Sequence, residues 1–247
     1  MKKVFLLICV AVMTVSAWSA DQPKQGLGLQ IGWAQPVLRL NSPNLSLAKD
    51  SLVQVTHLNG FKVGLVYDAS IIKGFGASVG INYTFGAGTT GWKAATSISN
   101  YPRSRTQTIY NQLEVFADWQ YKFEIAKETY LILYTGPTVQ CGLGFVVRKD
   151  TQTEMLDGSI VTTRLETNCY EKHEDTELAA NDELKRLNVT WGIGAGFQYK
   201  RYFLRGGYDF GLINPYAHQK FVGTDRYTRG RLDQWDIRIG MYLWYNE

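Results

Sequence analysis

The chain of 247 residues has few cysteines and histidines, three of each, and no large excess of either charge. Without the first 20 residues, the 26 basic residues fall to 24 against 22 acidic ones, so nucleic acid is not an expected partner. Beyond those residues the sequence also lacks any apolar run of the roughly 20 residues that a transmembrane helix needs. A membrane-embedded chain of this kind has to be a β-barrel.

The first 20 residues, MKKVFLLICVAVMTVSAWSA, have the three parts of a secretory signal peptide. Lys2 and Lys3 precede an apolar run from Val4 to Val12, and small residues follow up to Ala20. Cleavage is expected between residues 17 and 20, which leaves 21–247 as a single exported domain.

Apolar residues alternate with small or polar residues in eight segments of the exported chain, which is the period of a β-strand with unlike faces. Phe75, Ala77, Val79 and Ile81, for example, alternate with glycine, serine and asparagine. The eight segments are 27–33, 61–69, 75–86, 112–123, 131–145, 189–199, 204–212 and 235–245. Two weak strands near Ser51 to His57 would raise the number to ten.

The connections between these segments are of two alternating sizes. SIIKG, IAKET and KR are short, whereas the polar stretches 41–58, 87–106, 149–186 and 214–230 are long. Short periplasmic turns and long extracellular loops are typical of an outer-membrane barrel. The predicted fold is therefore an all-β, antiparallel, up-and-down transmembrane β-barrel, most simply of eight strands.

A soluble eight-stranded barrel alternates as well, so the composition of the two faces has to separate the two classes. The polar face is dominated by Gly, Ser, Thr, Asn and Gln, which suits a crowded interior better than a surface in water. The apolar face carries aromatic residues near both of its ends, as expected of membrane girdles. Those near the long loops are Trp33, Phe61, Phe85, Phe145, Trp191, Phe210 and Trp235, and those near the short turns are Tyr67, Phe75, Tyr121, Phe123, Tyr199, Tyr202 and Tyr245.

The last residues, RIGMYLWY, resemble the C-terminal signal that outer-membrane barrels present to the barrel assembly machinery. The matching positions are Arg238, Gly240, Leu243 and Tyr245. In addition, LRGGYDFGLINP followed by the terminal strand is similar to the last hairpin of the PorT-like family of outer-membrane barrels in Gram-negative bacteria. That pattern falls on Tyr208, Gly211, Leu212 and Asn214. The resemblance implies a barrel fold in the cell outer membrane and, for PorT itself, a link to protein secretion.

The polar face also carries charged residues that would point into the barrel. They are Lys62, Asp68, Glu114, Asp118, Lys122, Arg205, Asp209, Asp236 and Arg238. An eight-stranded barrel is just wide enough to be filled by side chains, and buried charges need partners. A plug of ion pairs is favoured, with a narrow porin-like ion path as the alternative.

Candidate catalytic groups are sparse. The histidines His57, His173 and His218 all fall in predicted loops, and none has a serine at a spacing that would place both on one strand face. Neither an enzyme nor a cofactor is expected, and a lipid-modifying enzyme remains a remote alternative. Cys141 falls on a predicted strand and Cys169 in a loop, and the sequence leaves open whether they form a disulfide.

The long loops are the better candidates for function. Basic residues in the second and fourth loops are expected to contact the phosphates of lipopolysaccharide. They are Lys93, Arg103, Arg105, Lys220, Arg226 and Arg229. In the third loop, Asp157-Gly158 predicts a type I′ hairpin and EKHEDTELAANDELKRL a short helix. This loop, 149–186, is the expected contact for an extracellular protein or other ligand. The predicted role of the protein is therefore structural, or binding through its loops.

Overall fold

A computed structural model describes residues 25–41, 56–72, 74–94, 102–171, 184–215 and 229–245. The predicted signal peptide lies outside these residues. All of the regular secondary structure in the described ranges is β-strand, and no helix there is long and apolar enough to cross a membrane. The strands are β1 (Gln25–Asn41), β2 (Thr56–His57), β3 (Asn59–Ile72), β4 (Phe75–Thr89), β5 (Lys93–Ala94), β6 (Arg103–Ala126), β7 (Thr129–Glu154), β8 (Ile160–Asn168), β9 (Leu187–Tyr199), β10 (Tyr202–Gly211) and β11 (Arg229–Tyr245).

Eight of these strands form a closed antiparallel ring in the order β1, β3, β4, β6, β7, β9, β10, β11. The terminal strand β11 closes the ring on β1, from Gly26 opposite Tyr245 to Asn41 opposite Arg229. The remaining strands β2, β5 and β8 pair with one ring strand each. The predicted eight-stranded barrel is thus confirmed, and β2, near the weak strands considered from the sequence, does not enter the ring.

Three connections at one end of the barrel are two-residue turns, as the short segments of the sequence predict. They are 73–74, 127–128 and 200–201. Each contains a residue with positive φ: Gly74 at 89°, Glu128 at 60° and Lys200 at 52°. This backbone conformation matches the twist of the flanking strands in a tight hairpin. We refer to this end as the turn side and to the opposite end as the loop side.

The barrel is apolar on its outer surface and polar inside. Along β1, Leu29 and Ile31 are exposed whereas Gln30 is buried, and along β3 Leu65 is exposed whereas Lys62 is buried. Most of the aromatic residues predicted for the two girdles are likewise exposed, including Trp33 and Trp191 on the loop side and Tyr121 and Tyr202 on the turn side. The burial pattern of the ring is therefore the reverse of that of a water-soluble protein, with apolar side chains outside and polar side chains inside.

Two predicted girdle residues, Phe145 and Tyr245, point inward instead, because each follows a β-bulge. On β7, Gly144 pairs with Asn111 and Gly142 with Gln112, so Leu143 is an extra residue. A single extra residue moves all the side chains beyond it to the other face of the strand.

On β11, Trp244 pairs with Leu27 and Tyr242 with Gly28, so Leu243 is the extra residue. The prediction that Phe145 and Tyr245 face outward is consequently wrong: Phe145 is buried, and Tyr245 packs against buried Tyr242.

Strands β6 and β7 continue past the ring on the loop side, where β8 replaces β9 as the partner of β7. The β7–β9 ladder ends at Cys141 opposite Leu187, and the β7–β8 ladder begins at Val146 opposite Asn168. The upper part of β6 pairs with β7 as far as Arg103 opposite Gln152. We call the extension formed by residues 103–111 of β6, 144–154 of β7 and 160–168 of β8 the projecting sheet; the end of β4 and the short strand β5 pair along its β6 edge. Parts of the predicted loops 87–106 and 149–186 are therefore strand.

The hairpin at the tip of the projecting sheet is present as predicted, but it is not a type I′ turn. That turn requires positive φ at two central residues, and here only Gly158 has it, at 78°. The chain closes instead by hydrogen bonds from Gly158 N to Met155 O, 3.0 Å, and from Met155 N to Ser159 O, 2.8 Å. The Asp157 carboxylate accepts from the backbone N and the hydroxyl of Ser159 at 2.9 and 2.6 Å. The predicted helix falls largely on 172–183, outside the described residues.

Candidate functional site: the filled lumen and the projecting sheet

The turn-side half of the lumen is organised around Asp68, which β3 points into the barrel. Arg205 Nη2 lies 2.6 Å and Lys122 Nζ 3.1 Å from Asp68 Oδ2. The Tyr242 hydroxyl donates to the same oxygen, and Arg205 Nη1 donates to Ser78 Oγ at 2.9 Å. One carboxylate thus holds two cations from β6 and β10 and a phenol from β11, so the cluster ties four ring strands together.

A second ionic cluster, centred on Lys62, lies closer to the loop side. Lys62 Nζ lies 2.8 Å from Glu114 Oε2 and 2.9 Å from Asp236 Oδ2, and Arg238 Nε lies 2.8 Å from Asp236 Oδ1. Glu114 Oε1 also accepts hydrogen bonds from Thr84, Gln112 and Gln234, at 2.6, 2.6 and 2.9 Å. Each buried charge of this cluster therefore has an opposite charge within hydrogen-bonding distance, as burial requires.

The register places like charges side by side, and the two clusters accommodate this. Arg205 lies directly opposite Arg238, an arrangement that is unfavourable by itself. The two guanidinium groups turn to different carboxylates, Arg205 to Asp68 and Arg238 to Asp236. Gly32 lies between Lys62 and Arg238 in the ladder, and the backbone of β11 is so close there that a Cβ would lie 2.0 Å from the Ile237 carbonyl oxygen.

The structure brings seven of the nine predicted lumen residues into these two clusters. The other two are Asp118, which is buried beside the Asp68 cluster opposite Ser78, and Asp209, which is half-buried opposite Gly192. All nine belong to strands of the ring. They comprise four cations and five carboxylates. Opposite charges are therefore nearly balanced among these nine residues.

Apolar layers accompany the ionic clusters, and the sequence did not reveal them. On the loop side a cluster that we call the apolar cap consists of Leu38, Leu58, Tyr110, Phe145, Cys169 and Leu184. Backbone hydrogen bonds tie its parts together, from Cys169 N to Phe145 O at 2.8 Å and from Leu184 N to Cys169 O at 2.9 Å. A second apolar cluster, Val66, Phe116, Phe203 and Tyr242, fills the turn side. The cap contains residues from chain segments on both sides of the third loop, so the alternation of residues within one strand could not predict it.

Beside the cap, Asp233 on β11 forms a further ionic contact that the sequence did not single out. Arg39 Nε and Arg231 Nε lie 2.9 and 3.0 Å from Asp233 Oδ2, and the Tyr208 hydroxyl donates to that oxygen at 2.7 Å. Asp233 Oδ1 accepts from the backbone N of Gly211 at 3.0 Å. The carboxylate is buried while both arginines are partly exposed. The contact therefore fastens β1, β10 and β11 at the loop-side rim.

The outward face of the projecting sheet carries a row of three charged residues across its three strands. Arg105 on β6 lies opposite Asp150 on β7, which lies opposite Arg164 on β8. Arg105 Nε and Nη2 both lie 2.9 Å from Asp150 Oδ2, and Arg164 Nε lies 2.7 Å from Asp150 Oδ1. The side chain of Asp150 is 1% exposed, whereas those of Arg105 and Arg164 are 34% and 58% exposed. One covered carboxylate thus orients two solvent-accessible guanidinium groups.

These contacts also change the proton affinity of the row. Hydrogen bonds from Arg164 and then from Arg105 lower the pKa of Asp150 from 3.8 to about 2, because they stabilise the ionised carboxylate. The reciprocal hydrogen bond and the charge of Asp150 raise the pKa of Arg164. Asp150 and Arg164 are therefore both ionised at neutral pH.

Two neighbouring rows on the same face contain further arginines. Toward the tip, Arg103 Nε donates to Gln152 Oε1 at 2.7 Å, and toward the barrel Arg148 Nε donates to Glu166 Oε2 at 2.8 Å. Trp92 lies against two of these arginines, with the guanidinium carbons of Arg103 and Arg105 at 5.3 and 4.9 Å from its ring centroid. Such cation–π contacts hold the guanidinium planes in place. Arg148 and Arg164 were not singled out from the sequence.

The residues predicted to contact lipopolysaccharide are not one surface. Arg103 and Arg105 lie together on the outward face, but Lys93 pairs with Ser104 and so lies on the opposite face of the sheet. Lys220 and Arg226 fall outside the described residues, and Arg229 is the first residue of β11, opposite Asn41. The sequence could not have placed Lys93, because its face is set by the pairing of β5 with β6.

The four residues of the predicted assembly signal occupy different environments in β11. Arg238 is buried in the Lys62 cluster, Gly240 packs against Phe203, Leu243 forms the bulge, and Tyr245 faces the lumen. Recognition by the barrel assembly machinery stays a prediction.

The described residues give no support to a metal site. No group of three or more His, Cys, Asp or Glu side chains among them is arranged to hold a metal ion. His57 is exposed in β2, while His173 and His218 lie outside the described ranges. Within those ranges no disulfide joins Cys141, which is exposed, to Cys169, which is buried.

The ring and its contents define the class of protein: an antiparallel, up-and-down, eight-stranded β-barrel whose interior is filled by side chains. No family model matches the chain, and no curated protein matches it. The PorT-like resemblance of the last hairpin therefore stays a prediction.

Among solved structures, the chain is similar to Ail, the attachment invasion locus protein of Yersinia pestis, in complex with the heparin analogue sucrose octasulfate. That similarity has 10% identity and a TM-score of 0.38, over 88% of this chain and 97% of the other. It is also similar to Neisserial surface protein A, at 13% identity and a TM-score of 0.38 over 88% and 97%. A third is the N-terminal barrel domain of Pseudomonas aeruginosa OprF, at 9% identity and 0.24 over 88% and 99%. Similarities this low assign neither a family nor a function.

Proposed function

We propose that the protein is a non-enzymatic barrel of the bacterial outer membrane that has a filled lumen and presents the projecting sheet as a binding surface outside the cell. The observation that carries the proposal is the combination of a closed ring with an apolar outer surface and buried ion pairs inside. A chain with exposed Leu, Ile, Trp and Phe around a whole ring would aggregate in water, whereas hydrocarbon favours that surface. A closed ring also leaves no strand edge unpaired in the membrane.

The lengths of the strands support a membrane-spanning role. A strand of a transmembrane barrel needs about 9 to 11 residues. The ring strands β3, β4 and β9 have 14, 15 and 13 residues, and β10 has 10, so each is long enough. The strands β6 and β7, with 24 and 26 residues, exceed this length by more than ten. That excess is the projecting sheet, which lies on the side of the long loops.

A filled interior argues for binding rather than permeation. The apolar cap covers the loop side of the lumen, and the two ionic clusters and the second apolar cluster occupy the remainder. An ion would have to displace buried pairs and then cross an apolar layer, and both steps are costly. We therefore favour the loop-side surface as the functional part, and a small porin-like channel is the less favoured alternative.

The location is tested by heat-modifiable gel migration of the protein extracted from a membrane fraction. A folded barrel is expected to resist unfolding in detergent until it is boiled, and so to migrate differently before and after boiling. Protein recovered from periplasmic extract without detergent, with no heat-dependent shift, would contradict the proposal.

The binding role is tested by removing the outer part of the projecting sheet, residues 149–165. Arg148 and Glu166 are direct cross-strand neighbours, so residues 149–165 can be replaced by the two-residue turn Asn-Gly. The shortened protein should still insert and remain heat-modifiable, because the β6–β7 pairs from Gln107 opposite Arg148 down to the turn and the cap residues Phe145 and Cys169 are retained. It should lose binding to bacterial surface components. A shortened protein that binds all of them as the intact protein does would contradict the role of this sheet.

A further inference from the structure

The outward face of the projecting sheet continues the apolar outer surface of the barrel. The pairing of β6 with β4 is continuous, so no bulge in β6 changes the side that its residues face. Four residues therefore follow Leu113 on the outward side: Ile109, Gln107, Arg105 and Arg103. On β7 the bulge at Leu143 brings Arg148 and Asp150 to the same side. At about 3.4 Å per residue, Arg105 lies about 27 Å along the strand from outward-facing Leu113.

The composition of this face changes stepwise from the barrel to the tip. The row nearest the barrel is Ile109, Val146 and Asn168, which is largely apolar. The next three rows contain four arginines, namely Arg103, Arg105, Arg148 and Arg164, and two acids, Asp150 and Glu166. These rows have an excess of two positive charges, and Glu154 lies one row further toward the tip. Apolar residues below and arginines above match the order of acyl chains and phosphates in a lipid layer.

The arginines are held in an arrangement suited to phosphate. The covered Asp150 engages Nε and Nη2 of both Arg105 and Arg164, which fixes both guanidinium planes. Trp92 adds a second constraint on Arg103 and Arg105. Guanidinium groups bind phosphate oxygens through pairs of N–H donors, and holding them in place beforehand lowers the entropic cost of binding.

We infer that the outward face of the projecting sheet is a binding site for the phosphate groups of lipopolysaccharide in the same outer leaflet, with Arg103, Arg105, Arg148 and Arg164 as its cationic residues. A face that looks sideways from the barrel, directly above the apolar surface, meets neighbouring lipid head groups rather than molecules that approach from above. The inference rests on the proposed outer-membrane location, and it replaces Lys93 by Arg148 and Arg164 in the predicted contact set.

The test uses a variant in which charge is removed without leaving a buried acid. Arg105→Gln, Asp150→Asn and Arg164→Gln are combined, because Asp150 would otherwise lose both of its partners. The matched control is Lys149→Gln, which removes one exposed positive charge from the opposite face of the same sheet. Full-length proteins in detergent are titrated with purified lipopolysaccharide, with the same material after its phosphates have been removed, and with inorganic polyphosphate. Heat-modifiable migration is recorded for each protein.

The triple variant is expected to bind phosphorylated lipopolysaccharide about tenfold or more weakly than the parent protein, and Lys149→Gln to bind within about twofold of it. Removal of the phosphates should abolish the difference between the parent and the triple variant. Equal binding of phosphorylated material by both folded proteins would overturn the inference while leaving the outer-membrane proposal intact. Binding of inorganic polyphosphate with no binding of lipopolysaccharide would overturn it also, since the ligand would then be a free polyanion. Loss of heat modifiability in the parent protein would instead refute the proposed location.

Discussion

At the scale of single residues, Lys62 is the charge on which most of the loop-side lumen depends. Its ammonium group is the shared partner of Glu114 and Asp236. Lys62→Met would keep the length of the side chain and leave two buried carboxylates with one cation fewer. Breaking a buried pair from one side costs roughly 3–5 kcal/mol, so the urea midpoint of unfolding in detergent should fall markedly. Lys149→Met, on the exposed part of the projecting sheet, should change the midpoint little, and an equal loss for both variants would contradict this role of Lys62.

A second residue-scale prediction concerns Asp150. Its pKa is lowered to about 2 in the folded protein, whereas an unfolded chain has an ordinary value near 3.8. Because the folded value is the lower one, the contribution of Asp150 to stability is present above about pH 4 and is lost as the pH falls through 2. A carbon-detected NMR titration should show Asp150 with a midpoint near 2. In Arg164→Gln the midpoint should rise toward 3.8, and an unchanged midpoint would show that the hydrogen bond from Arg164 does not set it.

The sequence pattern could predict which way a residue points, but not which residue it contacts. The inward position of Lys62, Asp68, Glu114 and Arg205 follows from period-two alternation within one strand, and the sequence is enough for that. Which cation meets which carboxylate depends on the register of strands far apart in the chain, as for Arg205 and Asp68 on β10 and β3. The contributions of Arg148, Arg164 and Asp233 were missed for the same reason.

At the scale of secondary-structure elements, the bulge at Leu143 determines what β7 shows to each side above the ring. It turns Phe145 into the apolar cap and Arg148 and Asp150 toward the outside. Alternation read from sequence cannot show a bulge, because the residues on both sides of it still alternate. That is why Phe145 and Tyr245 were predicted on the wrong face. The turns 127–128 and 200–201, by contrast, could be predicted, since their length alone restricts the hairpin geometry.

Deleting Leu143 should therefore turn the upper part of β7 inside out. The cap would lose Phe145, and Cys169, which is 0% exposed beneath it, would become accessible. The measurement is thiol labelling of Cys169 in the folded, heat-modifiable protein, with Cys141→Ser in the background to remove the exposed thiol. Cys169 should label slowly in the parent and rapidly in the deletion variant. Leu143→Ala keeps the bulge and is the control. Protection of Cys169 in the deletion variant would mean that the strand restores its register elsewhere.

At the scale of the whole molecule, the apolar outer surface and the charged interior are two sides of the same strands and are physically related. In the proposed membrane location, hydrocarbon around the ring replaces an apolar core, and the interior of eight strands is narrow enough for side chains to fill it. Ion pairs such as Lys62–Asp236 then connect strands that are not direct neighbours in the ring. The ring and its strand number could be predicted because alternation and loop lengths repeat along the chain. The cap could not, because Leu38 on β1, Leu58 before β3 and Leu184 before β9 converge on it from separate parts of the chain.

The last prediction follows from this filling and separates the binding protein from the pore. The purified protein, reconstituted in a planar bilayer, should show no discrete conductance steps under conditions in which a sixteen-stranded porin, used as a positive control, conducts. The reason is that an ion meets the apolar cap first and the Lys62 and Asp68 clusters next, and each cation there is already paired with a carboxylate within 3.1 Å. Phe145→Ala tests whether the cap alone blocks the lumen: it should remain silent, because the ionic clusters below are unchanged. Reproducible single-channel steps from the parent protein would overturn the filled-lumen interpretation and favour the small pore.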